Sequence, residues 1–200
     1  MTDEKPIAQI IGRIEKLNAG LAKFWGNAHG WAPIEAAELL SKSRLDWQVS
    51  LSTTLRIWIK KPPTILTNGE LILAWVNLGS LIEGSLKLFL SVYYKDYMGD
   101  ISNLKAAGVY DHKKASAIDP DGVGLDKLKK FFEKANLLNT NQLSLISLVQ
   151  NRRNAVHAFQ NKQIGDDAEL TRAIRNYHIL LSELNSQMPY PDDGYIPREF

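Results

Sequence analysis

The sequence predicts an all-α fold, a helical bundle of about five or six helices. Three observations carry this expectation. Apolar residues recur at i, i+3, i+4 and i+7 through most of the 200 residues. The strict alternation of a half-buried strand is absent throughout. Proline, glycine and asparagine clusters cut the apolar segments into pieces of helix length. With 44% hydrophobic residues the chain can bury one sizeable core, so a single domain over 1–200 is expected. Within it, 1–67 reads as an N-terminal helical part, 68–188 as the core and 189–200 as a Pro-rich tail.

Residues 6–25 form the first expected helix, on Ile7, Ile10, Ile11, Ile14, Leu17 and Leu21, with Pro6 suited to its first turn. The loop from Gly26 to Pro33 ends it. His29 stands alone there, and a site needs convergent groups. A second, longer helix is expected over 34–59, opened by Pro33 and closed by Lys60-Lys61-Pro62-Pro63. Its Trp47 and Trp58 read as packing residues. The third spans about 68–94, with Asn68 as N-cap and a stripe of Leu71, Trp75, Leu78, Ile82, Leu86, Phe89 and Tyr93. Glu83 lies beside that stripe. It reads either as the surface partner of Lys87, four residues on, or as a half-buried carboxylate awaiting an arginine from another helix.

Residues 95–124 lack a sustained period and read as a mobile insertion with a short helix at 102–107. In Asp119-Pro-Asp-Gly-Val-Gly-Leu-Asp126 the twelfth position of a calcium loop would be Lys130, where a bidentate glutamate is required, so that reading fails. A helix over 125–138 follows, its lysines forming a solvated face. Asn139-Thr140-Asn141-Gln142 is a capping-box start for the next helix. The last helix begins after Gly165, capped by Asp166-Asp167-Ala168-Glu169, and runs to about Met188. Three prolines make the tail extended.

Composition excludes several classes. There is no cysteine, hence no disulfide framework and no thiolate metal site, and a reducing cytosol is the expected compartment. Residues 71–94 are interrupted by Glu83 and Lys87, and the uncharged run falls short of the roughly 20 residues a membrane span needs. The net charge of +2 is spread along both halves, without the basic stripe of an electrostatic duplex binder. Any nucleic-acid role rests on a local site.

The densest chemistry lies in Asn151-Arg152-Arg153-Asn154-Ala155-Val156-His157-Ala158-Phe159. On a continuous helix, at about 100° per residue, Leu145, Leu148, Val149, Arg152, Ala155, Val156 and Phe159 share the core-facing stripe. Arg153 and His157 fall one turn apart on the neighbouring flank, and Asn151, Asn154 and Asn161 on a third face. Two accounts compete. In one, Arg152 reaches Glu83 through the bundle and His157 donates to a backbone carbonyl, fixing register. In the other, guanidinium and imidazole converge on a cleft, one binding phosphate and one moving a proton.

Arg152-Arg153-Asn154-Ala155-Val156-His157 resembles the signature of the HEPN superfamily, an Arg separated from a His by four to six residues, often followed directly by Asn, Asp or His. Glu83 in Leu-Ile-Glu-Gly-Ser-Leu-Lys and the position of the motif near the chain's end are similar to that superfamily too, over about 68–188, with the first two helices as an elaboration. The resemblance implies a homodimer paired across the motif helices, and a metal-independent endoribonuclease of a toxin–antitoxin or phage-defence system. RNA is then the substrate, an antitoxin or other defence protein the partner, and no cofactor or membrane takes part. An RNA 2′-hydroxyl would attack the adjacent phosphodiester, with His157 assisting proton transfer, Arg152 and Arg153 stabilising the phosphorane-like charge, Asn154 orienting phosphate or imidazole, and Glu83 in support. The chain departs from the pattern in one respect: the four-residue gap is met by Arg152, while the Arg-Asn pair is Arg153-Asn154. Other members imply the alternative, a non-catalytic dimeric binding or adaptor module.

Overall fold

Helix α4 (Asn68–Val92) is the axis around which the other elements pack. A computed structural model of the chain describes residues 5–60, 63–157, 159 and 161–200, so Lys61, Pro62 and Ala158 of the segments above lie outside the described residues. The order is α1 (Ile7–Trp25), α2 (Ile34–Lys42), α3 (Leu45–Thr54) with a 3-10 turn at Leu55–Trp58, α4, α5 (Tyr94–Gly99) and α6 (Ile101–Ala107). A two-residue antiparallel hairpin, β1 (Tyr110–Asp111) with β2 (Ser116–Ala117), precedes α7 (Leu125–Lys134), α8 (Thr140–Arg153) with a 3-10 turn at Asn154–Val156, and α9 (Asp167–Gln187). The fold is all-α apart from that hairpin.

Burial on α4 extends well beyond one stripe. Ala74, Trp75, Leu78, Leu81, Ile82 and Leu86 are all fully covered, because α2, α3, α7, α8 and α9 each lie against this helix. A helix apolar on nearly all sides belongs in the middle of a bundle. By length and composition α4 would suffice to cross a membrane, but 61% of its most apolar window is buried inside the protein, the profile of a core helix. Its start differs from the expected one: Thr67, not Asn68, is the N-cap. The Thr67 hydroxyl accepts from the Glu70 N–H at 3.3 Å, and the Glu70 carboxylate accepts from the Thr67 N–H at 2.8 Å, a reciprocal capping box.

The single helix expected over 34–59 is two helices. It breaks at Ser43, whose backbone is extended, and at Arg44. The break contains neither glycine nor proline; it is stabilised by short polar side chains competing with the helix. The Ser43 hydroxyl donates to the Leu40 carbonyl at 2.5 Å, and Arg44 grips Asp46 two residues on at 2.8 and 2.6 Å. The bend lets α3 lie between α1 and α4. Residues 95–124 differ as well. They fold as α5, α6 and the hairpin, and Tyr97, Leu104, Ala107 and Val109 are buried in the common core. Helix α6 is the short helix expected at 102–107, whereas α5 and the hairpin, at six and two residues, carry too few turns to show a period. Helix α7 ends at Lys134, short of the expected 138, with Asn136 in the left-handed region at φ 52°.

The tail is docked in the groove between α1 and α9 and, where an extended segment was expected, it turns over 191–196, the Tyr195 N–H donating to the Asp192 carbonyl at 3.2 Å. The Trp25 indole donates to the Tyr190 hydroxyl at 3.1 Å, and the Asn185 amide donates to the Pro197 carbonyl at 3.1 Å. Gly20 is needed at the crossing, since a Cβ there would meet Pro197 at 2.6 Å. Glu199 closes the strap: it accepts from Ser182 at 2.8 Å and Arg13 at 3.2 Å, and His178 Nε2 lies 3.1 Å away.

Candidate functional site

Helix α8 starts as its sequence demands. The Asn139 side chain accepts from the Gln142 N–H at 3.1 Å, and the Gln142 side chain accepts from the Asn139 N–H at 2.8 Å. Leu145, Ile146 and Val149 are buried against α4 and α9, each contributing about 1.5–3 kcal/mol by burial, which fixes the rotation of α8 about its axis. That rotation decides where the two arginines go.

Arg153 passes over α4. Its Nη1 donates to Glu83 Oε2 at 3.0 Å, and the same carboxylate takes Lys87 at 2.9 Å on its other oxygen. The crossing depends on Gly79, where a Cβ would sit 2.7 Å from Arg153 Cδ. Both sequence readings of Glu83 are therefore combined in one network, with its Lys87 pair and an arginine from another helix. Burial raises the Glu83 carboxyl pKa, but the hydrogen bonds from Lys87 and Arg153 outweigh it and hold the group below the usual glutamate value. Glu83 is thus a carboxylate at neutral pH, a charge partner with no proton to deliver.

Arg152 does not reach Glu83. About 100° further round the helix from its neighbour, it meets α9 and the loop before it. Its Nε and Nη2 hold the Glu169 carboxylate at 2.7 and 3.0 Å, and Nη1 donates to the Gln163 carbonyl at 2.7 Å. The Glu169 hydrogen bond raises the Arg152 pKa against a smaller opposing effect of burial. Gly165, at φ 72°, leaves room for this clasp, because a Cβ there would fall 3.2 Å from Arg152 Nε and on top of Glu169. The Trp75 indole donates to the adjacent Ile164 carbonyl at 2.7 Å, so the loop after the motif is held from both sides.

The motif does not continue as an α-helix. Helix α8 ends at Arg153, Asn154–Val156 form one 3-10 turn, and His157 lies beyond it. Face assignments past Arg153 therefore fail. Ala155 is half-buried, Val156 is 48% exposed and Phe159 is fully exposed, where a core stripe was expected. The exposed His157 imidazole has no hydrogen-bond or ion-pair partner among the described residues, and the expected donation to a carbonyl is absent there.

These turns place Arg153, Asn154 and His157 on one open cleft of about 590 Å³, whose floor is the Ser80, Glu83, Gly84 and Lys87 face of α4. Its far wall is α3, through Arg44, Trp47, Gln48 and Leu51. Arg152 is not part of the lining. Gln48 reaches α4 at Gly84, where a Cβ would come within 2.3 Å of Gln48 Oε1, and donates to the Leu81 carbonyl at 2.7 Å. Trp47, expected as packing, is 58% exposed at the rim, with the Arg44 guanidinium 4.0 Å over its ring. Trp58 does pack, its indole donating to Asn77 Oδ1 at 2.8 Å. The sequence reading missed Arg44, Trp47 and Gln48. For Gln48 the legible signal was Gly84 inside a long apolar helix, where glycine is costly unless another chain segment must approach.

Cationic Arg44, Lys87 and Arg153 face the cleft against Glu83 and against Asp46, which holds Arg44 from beside it, and the one positive charge left over suits an anion. Among the described residues no group of three His, Asp or Glu side chains is placed to hold a metal ion. No family model, no curated protein and no solved structure matches this chain.

Proposed function

We propose that the protein is a metal-independent endoribonuclease of HEPN type, acting as a homodimer in a toxin–antitoxin or phage-defence system with an antitoxin or another defence protein as partner. The observation that supports this reading is the convergence of the Arg153 guanidinium, Lys87, Asn154 and a free His157 imidazole on one open cleft. Guanidinium and ammonium bind phosphate oxygens, and histidine is the residue type suited to moving a proton near neutral pH. With an RNA phosphodiester seated there, His157 takes the proton of the 2′-hydroxyl as its oxygen bonds to phosphorus. The P–O5′ bond breaks, and the proton passes to the leaving 5′-oxygen. The products are a 2′,3′-cyclic phosphate and a 5′-hydroxyl end. Arg153 and Lys87 carry the charge on the non-bridging oxygens, worth about 10²–10³ in rate for one such group. Asn154 orients the phosphate, Glu83 holds the two cations in place, and Arg152 serves the loop, not the reaction.

One observation favours a second reading, a non-catalytic binding module of the same type. Arg153 is already neutralised by Glu83 at 3.0 Å, so a phosphate must compete with that ion pair. Cleavage separates the two. In EDTA, the wild-type protein should cut single-stranded RNA to fragments with 5′-hydroxyl ends, and one 2′-deoxy substitution at the cut position should block the cut. An RNA left whole under these conditions supports the binding module.

A further inference from the structure

The cleft does not end at the arginine and histidine. A second hollow of about 460 Å³ continues from it along α4 to Ser91 and shares Arg44, Trp47, Gln48, Gly84 and Lys87 with the first. Together they make one groove from Val76 to Ser91, about 22 Å of helix axis at 1.5 Å per residue. Lys42 and Asp121 line only the second hollow, Lys87 and Arg44 line both, and Arg153 and Glu83 line only the first, so four cations outnumber two carboxylates along the groove. Lys87 reaches both Glu83 at 2.9 Å and the Asp121 carbonyl at 3.0 Å, so it is fixed at the centre of the groove floor. Trp47, on the α3 wall, lines both hollows. One face of its indole is covered by Arg44, itself held by Asp46, while the side chain as a whole stays 58% exposed.

A line of cations with an exposed indole in the middle is the arrangement that holds an unpaired strand, the cations following the phosphates and the aromatic face taking a base. A duplex keeps its bases stacked on each other and leaves the indole unused. We infer that this groove is a single-stranded RNA track in which Trp47 stacks the base of a nucleotide flanking the one whose phosphate sits at Arg153. The inference rests on the ribonuclease reading for the kind of strand bound. It adds the strand's path, its single-stranded state and a specificity residue on α3, an element outside the 68–188 region.

The test is binding of a 2′-O-methyl oligonucleotide, which lacks the attacking hydroxyl, followed by fluorescence anisotropy at low salt. The full-length wild type should bind the single strand more tightly than a duplex of equal length. Trp47→Ala should weaken single-strand binding about 10- to 100-fold. Trp47→Phe should restore most of it, and Lys42→Glu should weaken it with a reduced salt dependence. An unchanged dissociation constant for folded Trp47→Ala overturns the track, as does equal binding of duplex, or no binding of any oligonucleotide. The ribonuclease reading fails separately. If Trp47→Ala loses binding but ordinary RNA is never cut by wild type, the track stands and the nuclease falls; if RNA is cut and neither binding nor cutting depends on Trp47, the nuclease stands and the track falls.

Discussion

Arg152 and Arg153 are neighbours with different work, and the difference comes from one residue's rotation about α8. Arg152 is locked by three hydrogen bonds to Glu169 and Gln163, with 17% of its side chain exposed. Truncating it leaves a partly buried carboxylate and a carbonyl without their donor, a loss of about 1.5–3 kcal/mol. Arg152→Ala should therefore lower Tm by about 3–12 °C, read by circular dichroism. Arg153 makes one ion pair at 29% exposure, and Glu83 keeps Lys87 when it is gone, so Arg153→Ala should cost no more than about 1 kcal/mol. The same melt measures both; equal losses would contradict the division. Spacing could not make this distinction. It placed Arg152 on a core-facing stripe and Arg153 beside His157, but it gave Arg152 the wrong partner, because the glutamate that claims it sits past a loop whose path no periodicity encodes.

Among elements, α4 decides the site, and its glycines mark where other helices touch it. Gly79 admits Arg153 and Gly84 admits Gln48. Alanine at 79 gains up to about 1 kcal/mol of helix propensity but puts a methyl 2.7 Å from Arg153 Cδ. Gly79→Ala should stay within about 1 kcal/mol of wild-type stability while losing RNA cleavage nearly as fully as Arg153→Ala. Full cleavage by a stable Gly79→Ala would show that the path over Gly79 is unimportant. Most long elements were legible: the starts of α1, α8 and α9 follow from Pro6, Asn139 and Asp166, and the core stripe of α4 from its apolar spacing. Three helix ends were not, that of α7 at Lys134 among them. The break at Ser43 and Arg44 has no glycine or proline to announce it, and the end of α8 at Arg153 is set by packing of the following loop on Trp75 and Arg152. That end of α8 turned Val156 and Phe159 outward and left His157 free.

At the scale of the whole molecule, the C-terminal tail closes the bundle on the side where Glu199 bridges α1 and α9. Burial raises the Glu199 carboxyl pKa, but the Ser182 hydrogen bond and the charges of His178 and Arg13 outweigh it and leave it depressed. A depressed acid stabilises the fold above its unfolded pKa, and that contribution is lost as pH falls through the lower, folded value. The Tm difference between wild type and Glu199→Gln should then be full at pH 7 and shrink as the pH drops below about 4; a difference that persists unchanged in acid would remove the charge from the strap. The cleft lies elsewhere, among α3, α4 and the end of α8, and it bears the functional claim. The most direct measurement of that claim is the rate of RNA cleavage in EDTA by wild type and by His157→Ala, each with an intact melt. Loss of a proton-transfer group should slow cleavage about 10²–10⁴-fold, with 5′-hydroxyl ends in what remains. Equal rates for the two proteins would contradict the account.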